Sequence, residues 1–78
     1  MIIGVKDVEY IREYIIKVTF DNNESKIVDL KNFIEGEIFE PLKEIDYFRN
    51  VRVDEDIETV CWDNGADFSP EFLYETGV

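Results

Sequence analysis

Residues 14–30 decide the fold: Tyr14-Ile15-Ile16-Lys17-Val18-Thr19-Phe20, then Asp21-Asn22-Asn23, then Glu24-Ser25-Lys26-Ile27-Val28-Asp29-Leu30. In the first run Tyr14, Ile16, Val18 and Phe20 alternate with Ile15, Lys17 and Thr19, the period of a half-buried strand. In the last run Val28 and Leu30 share one phase, with Ile27 and Asp29 on the other. The intervening Asp-Asn-Asn is turn chemistry, because Asn tolerates the left-handed backbone of tight hairpin loops. Val28 and Leu30 can join the face of Ile16 and Val18 only if the loop holds an odd number of residues. An even loop would turn the whole apolar set to water. A three-residue loop with Asn23 left-handed meets the condition, and the stretch predicts an antiparallel hairpin.

Upstream, Ile2 to Tyr10 reads as a further strand whose apolar phase changes between Ile3/Val5 and Val8/Tyr10. A period-2 pattern that changes phase predicts a bulge near Lys6-Asp7. Downstream, Asn32 to Phe48 is interrupted by Gly36 and carries Pro41, which suits the first turn of a short helix. Phe39, Leu42 and Ile45 recur at spacing three, predicting one short buried helical face. Val51 and Val53 alternate with Arg52, and Val60 and Trp62 with Thr59 and Cys61. A two-residue turn at Glu55-Asp56 would set Val51 opposite Val60 in a second hairpin. Asp54, Glu55, Asp56 and Glu58 crowd its tip, which should be solvated.

The C-terminal stretch is a turn at Asp63-Asn64-Gly65 followed by a helix start at Ser69-Pro70-Glu71. Ser69 suits the N-cap, Pro70 the first helical position and Glu71 the positive end of the helix dipole. Phe68 and Leu73 are spaced for a hydrophobic staple, and Gly77 for the C-cap. The element order predicts one α+β domain spanning residues 1–78. Its sheet is small and mostly antiparallel, with about five strands in two hairpins plus an N-terminal strand. A short helical connection and a short C-terminal helix complete it.

Composition excludes several chemistries. The chain has 78 residues and no histidine, so a histidine base, a serine–histidine triad and a His-ligated zinc are ruled out. Its one cysteine, Cys61, can form no internal disulfide, and a buried, inert thiol is expected. No leader-like segment and no apolar run near the ~20 residues of a membrane span is present, so a cytoplasmic protein without membrane contact is expected. The acidic tip matches no calcium loop, and the four isolated glycines make no phosphate loop. A paired-carboxylate hydrolase needs two acids held about 5–10 Å apart in a cleft, and no spacing indicates such a pair. No enzyme activity, cofactor, metal or catalytic residue is expected.

Charge is unevenly divided. The total is −11, from 19 acids and 8 bases. Residues 1–34 carry Asp7, Glu9, Glu13, Asp21, Glu24 and Asp29 against five bases, net −1. Residues 35–78 carry thirteen acids against Lys43, Arg49 and Arg52, net −10. Such a field repels nucleic acid and anionic membranes and favours a basic partner. Asp54, Glu55, Asp56 and Glu58 are the candidate partner surface. The aromatics Tyr10, Tyr14, Phe20 and Trp62 lack interleaved Arg or Lys and read as core, not as an RNA platform.

The run Trp62-Asp63-Asn64-Gly65-Ala66-Asp67-Phe68-Ser69-Pro70-Glu71, followed by Leu73-Tyr74, resembles the signature ending of the bacterial domain-of-unknown-function 2442 family. Val18-Thr19-Phe20-Asp21, Val28-Asp29-Leu30, Phe39-Glu40-Pro41-Leu42-Lys43 and Phe48-Arg49-Asn50-Val51-Arg52-Val53-Asp54 follow in the family's order. One departure is Asn23, where relatives usually carry glycine. The resemblance implies a small bacterial cytoplasmic α+β protein with no established activity. It also implies neighbours of a second small family, domain-of-unknown-function 4160, in pairs resembling toxin–antitoxin modules. Longer relatives add a helix-turn-helix domain, which is not expected here. Two functions follow as expectations: an acidic, antitoxin-like partner of a basic small protein, or a ligand-binding or regulatory accessory domain. Trp62, Asn64, Gly65, Ala66, Asp67, Ser69 and Pro70 are expected to serve the fold, with Asp67 bonding turn amides and Ser69 capping the helix.

Overall fold

The computed structural model describes residues 3–78, so Ile2, expected to open the first strand, lies outside the described residues. Among the described residues five strands form as the alternation predicts, but they divide into two antiparallel sheets. The larger contains β1 (Val5–Arg12), β2 (Ile15–Phe20) and β3 (Ser25–Asp29), in that order. The smaller pairs β4 (Arg52–Asp54) with β5 (Thr59–Cys61). Two 3₁₀ segments, Lys31–Phe33 and Glu37–Lys43, and a single-turn helix α1 (Ile45–Phe48) connect the sheets. The C-terminal helix α2 spans Pro70–Thr76. The fold is α+β, and no helix of the described residues is long and apolar enough to cross a membrane.

The first hairpin follows from its loop. Ile16 pairs with Val28 and Val18 with Lys26, across the three-residue loop Asp21–Asn23. Asn23 is left-handed at φ 70°, and its N–H donates to the Phe20 carbonyl at 2.9 Å. Ile16, Val18, Phe20, Val28 and Leu30 are thereby all buried on one face. The bulge expected near Lys6-Asp7 is present as a register shift between Val5 and Asp7. A second shift, between Tyr10 and Arg12, lets β1 run on to the Glu13-Tyr14 turn, where Glu13 takes φ 48°.

The two sheets meet where β1 begins: the Val5 N–H donates to the Glu58 carbonyl at 2.8 Å. An aromatic chain crosses the core between them. Tyr10 and Tyr14 meet the Phe48 ring edge-on at 6.0 and 5.3 Å, Phe48 meets Trp62 at 5.5 Å, and Trp62 meets Phe68 at 6.0 Å. Phe68 then packs on Phe39 and stacks on Phe72. Helix α2 docks on the first hairpin through Tyr74. Its ring packs on Phe20, and its hydroxyl donates to Glu24 Oε2 at 2.5 Å. That bond raises the phenol's pKa above its ordinary value. Gly77 sits where the helix end meets β3. A Cβ there would lie 2.7 Å from the Lys26 Cβ, so close approach and not a left-handed φ requires the glycine.

Three expectations need correction. The β4–β5 loop holds four residues, Glu55–Glu58, and Val53 rather than Val51 faces Val60. The reason is local: Asp54 Oδ1 accepts the Asp56 N–H at 2.8 Å, and the Asp54 carbonyl accepts the Glu58 N–H at 2.8 Å, closing a wider turn. Pro41 lies inside a 3₁₀ segment, not in the first turn of a helix. Ile45 does not share the buried face of Leu42. The chain extends at Glu44 (φ −81°, ψ 122°), which rotates α1 and leaves Ile45 exposed while Leu42 is fully buried and Phe39 half-buried.

The two positions predict opposite outcomes in chemical denaturation. Leu42→Ala should lower the unfolding free energy by about 2–5 kcal/mol, as a cavity in a packed core does. Ile45→Ala should stay within about 0.5 kcal/mol, as an exposed change does. Equal losses would place Ile45 back in the core.

Candidate functional site

Two groups of residues carry functional expectations, and the fold keeps them apart. The signature residues form a continuous hook from β5 into α2. The Trp62 N–H donates to the Ala66 carbonyl and the Gly65 N–H to the Trp62 carbonyl, both at 3.0 Å. Gly65 has φ 90°, a conformation that costs a side-chain-bearing residue and is open to glycine. Ala66 is buried and belongs to the core cluster. The turn amide is held by Asn64 rather than Asp67. Asn64 Oδ1 accepts the Ala66 N–H at 3.1 Å, and its Nδ2 donates to the Ile38 carbonyl at 2.7 Å. Asn64 therefore ties the hook to the second 3₁₀ segment. Asp67 is exposed and meets Cys61 through its backbone in an isolated bridge.

The helix start takes the expected form. Ser69 Oγ accepts the Phe72 N–H at 3.2 Å, and Pro70 occupies the first turn. Phe68 and Leu73 both enter the core. Trp62 is buried, and its indole N–H donates to the Phe48 carbonyl at 2.8 Å. Thr59, the one buried polar residue among those described, donates its hydroxyl to the Phe68 carbonyl at 2.5 Å. Cys61 is buried, and desolvation pushes its thiol pKa up, partly opposed by the charge of Arg52. A thiol held protonated has no nucleophilic character at neutral pH.

The acidic residues form the β4–β5 loop at the rim of the sheet junction. Asp54 is half-buried, while Glu55, Asp56 and Glu58 are exposed. Asp54 spends one oxygen on the Asp56 N–H. Glu55 and Glu58 border a shallow depression with Val5, Lys6, Asp21 and Val53. Among the described residues, no group of His, Cys, Asp and Glu is arranged to hold a metal ion.

A third site has no counterpart in the sequence reading. A cavity of about 310 Å³ opens between the β1–β2 turn, the end of β3 and the start of α1, lined by Glu13, Tyr14, Ile15, Asp29, Lys31 and Ile45. Its walls are tied together. The Tyr14 hydroxyl donates to the Lys43 carbonyl, and the Tyr14 carbonyl accepts the Leu30 N–H at 2.9 Å. Asp29 Oδ1 accepts the Lys31 N–H at 3.0 Å, which shapes the floor of the chain reversal. The lining residues meet only in the fold, and spacing alone assigned Ile45 to the core.

The sequence profile described as "Protein of unknown function (DUF2442)" matches residues 5–78. The chain belongs to the DUF2442 family. No curated protein matches it. Among solved structures it is similar to a Nitrosomonas europaea ATCC 19718 protein named "Putative DNA Binding Protein", at 20% identity and a TM-score of 0.83. That likeness covers 97% of this chain and 49% of the other, so the chain spans about half the length of that protein. The fold of this DUF2442 chain is thus shared at low sequence identity.

Within the hook, Ser69→Ala should destabilise the protein by about 0.5–2 kcal/mol through loss of the cap. Asp67→Ala should change stability by no more than about 0.5 kcal/mol, because its side chain holds nothing. Urea titrations of both variants check this. A larger loss at Asp67 than at Ser69 would return the turn to Asp67.

Proposed function

We propose that this DUF2442 chain is a protein-interaction module that presents an acidic surface to a basic small protein, in the manner of an antitoxin-like subunit. One observation carries the reading. Of the thirteen acids in residues 35–78, twelve are exposed and Asp54 is half-buried. The three bases of that stretch are each already held at a carboxylate of the same stretch: Lys43 at Glu40 (3.1 Å), Arg49 at Asp46 (3.9 Å) and Arg52 at Asp63 (3.3 Å). Of the remaining ten carboxylates nine are exposed and Asp54 is half-buried, and none has an ion-pair partner among the described residues. Such a surface steers a cationic partner at long range and repels phosphate backbones.

A second reading is favoured by the half-length likeness. A chain that covers 49% of a protein named for DNA binding can serve as its accessory half, regulating a domain that lies elsewhere. A net charge of −11 speaks against phosphate contact by this half itself.

Co-expression with a basic small protein encoded beside this chain, followed by size-exclusion chromatography, tests the first reading; co-elution is expected. Two triple variants then locate the contact. Glu55, Asp56 and Glu58 reversed to Lys should slow association about tenfold or more and flatten its salt dependence. Asp7, Glu9 and Glu13 reversed to Lys change the charge equally and should slow it far less. Equal slowing by both sets across a salt series would reduce the acidity to a solubility device, and separate elution would remove the partner.

A further inference from the structure

The cavity beside the β1–β2 turn is lined by residues of both charge signs. Its lining residues include two acids, Glu13 and Asp29, one base, Lys31, and the apolar or aromatic Ile15, Ile45 and Tyr14. None of these three charged groups takes part in an ion pair among the described residues. Their charge is therefore available to a guest. At about 310 Å³ the space lies at the lower end of small-molecule sites, which suits one amino acid and not a nucleotide. The site is preformed, because the Tyr14 hydroxyl bond to Lys43 and the Leu30 N–H bond to Tyr14 fix three separate chain segments around it.

We propose that this cavity binds a single free basic α-amino acid, of the arginine or lysine class. Such a molecule carries two cationic groups, one carboxylate and an aliphatic stem. The cavity offers the complement of each. The α-ammonium and the side-chain cation meet Glu13 and Asp29, the α-carboxylate meets Lys31, and the stem lies on Ile15 and Ile45. Charge-assisted contacts of this kind are the strong ones, and Arg and carboxylate pair in a planar fork. An anionic ligand would meet two like-charged carboxylates, and a purely apolar one would use none of the three exposed charges. The proposal also gives Ile45 a purpose that the core does not. It is independent of the acidic-surface reading, since Glu55, Asp56 and Glu58 lie in a different part of the fold, beside the start of β1.

Titration of free L-arginine into the isotope-labelled full chain, followed by amide chemical shifts, tests it. Millimolar arginine should shift the amides of residues 13–15, 29–31 and 45 along saturable curves, and lysine should do the same. Leucine, which lacks the second cation, and agmatine, which lacks the carboxylate, should each bind about tenfold more weakly, one charged contact being lost. Asp29→Asn keeps the acceptor for the Lys31 N–H and should weaken arginine about tenfold. Lys31→Met should erase the advantage of arginine over agmatine. The same spectra report whether each variant folds. Three results would overturn the proposal: no saturable shift at the cavity, equal binding of arginine and agmatine by the unaltered chain, or shifts spread evenly over the acidic loop. The last would make the effect nonspecific cation screening.

Discussion

The indole N–H of Trp62 donates to the Phe48 carbonyl inside the core, and the rest of the molecule is arranged around that bond. A buried donor without its acceptor costs about 1–3 kcal/mol, so Phe48 must be held where Trp62 needs it. Phe48 ends α1, and its ring lies between Tyr10 of β1 and Tyr14 of the β1–β2 turn on one side and Trp62 of the hook on the other. Trp62 continues to Phe68, and Phe68 to the cap of α2. One hydrogen bond and a run of rings thus join the three-stranded sheet, the connecting segment, the small sheet and the last helix. A domain of this size buries only about 60–65% of its unfolded surface, so it needs such a shared centre. The run from Trp62 to Ser69 serves the architecture: Trp62 anchors, Asn64 and Gly65 shape the turn, Ala66 joins the core, and Ser69 caps the helix.

The thin core also dictates where charge goes. No carboxylate among the described residues is fully buried, and no buried polar side-chain atom lacks a partner. The first 34 residues supply the three-stranded sheet and are nearly neutral. The acidity is concentrated on the later segments, whose few bases are used locally. The interior is thus assigned to apolar and aromatic packing, and the surface of residues 35–78 is left to electrostatics. The cavity by the β1–β2 turn stands outside that division, because it combines both signs of charge with apolar walls.

Much of this was legible where the signals are local. Alternation and an odd loop at Asp21–Asn23 fixed the register of the first hairpin, and Ser69-Pro70 fixed the helix start. The β4–β5 register was not legible, because Val51 and Val53 share a phase. A slip of two residues keeps every side chain on its face, and only the Asp54 side-chain bond and the left-handed Glu58 (φ 55°) select the wider loop. The division into two sheets was hidden for a related reason, since alternation defines strands and not their neighbours. Ile45 was misplaced because spacing of three persists through Lys43 but the backbone extends at Glu44. The cavity had no sequence signal, since residues 13–15, 29–31 and 45 are joined only by tertiary contacts. Asn64 took the role expected of Asp67 because a neutral amide can accept and donate at once, toward Ala66 and Ile38.

Hydrogen exchange of the Trp62 indole proton measures the central claim directly. If the hook is the shared centre of the fold, that proton exchanges only when the whole molecule opens. Its exchange should then be as slow as the slowest amides of β2, such as Ile16 and Val18, and should accelerate with urea along the same slope. A proton that exchanges faster, with little dependence on urea, would show the hook and small sheet opening on their own. The signature would then be a mobile appendage to the first hairpin, and its role would lie outside the fold.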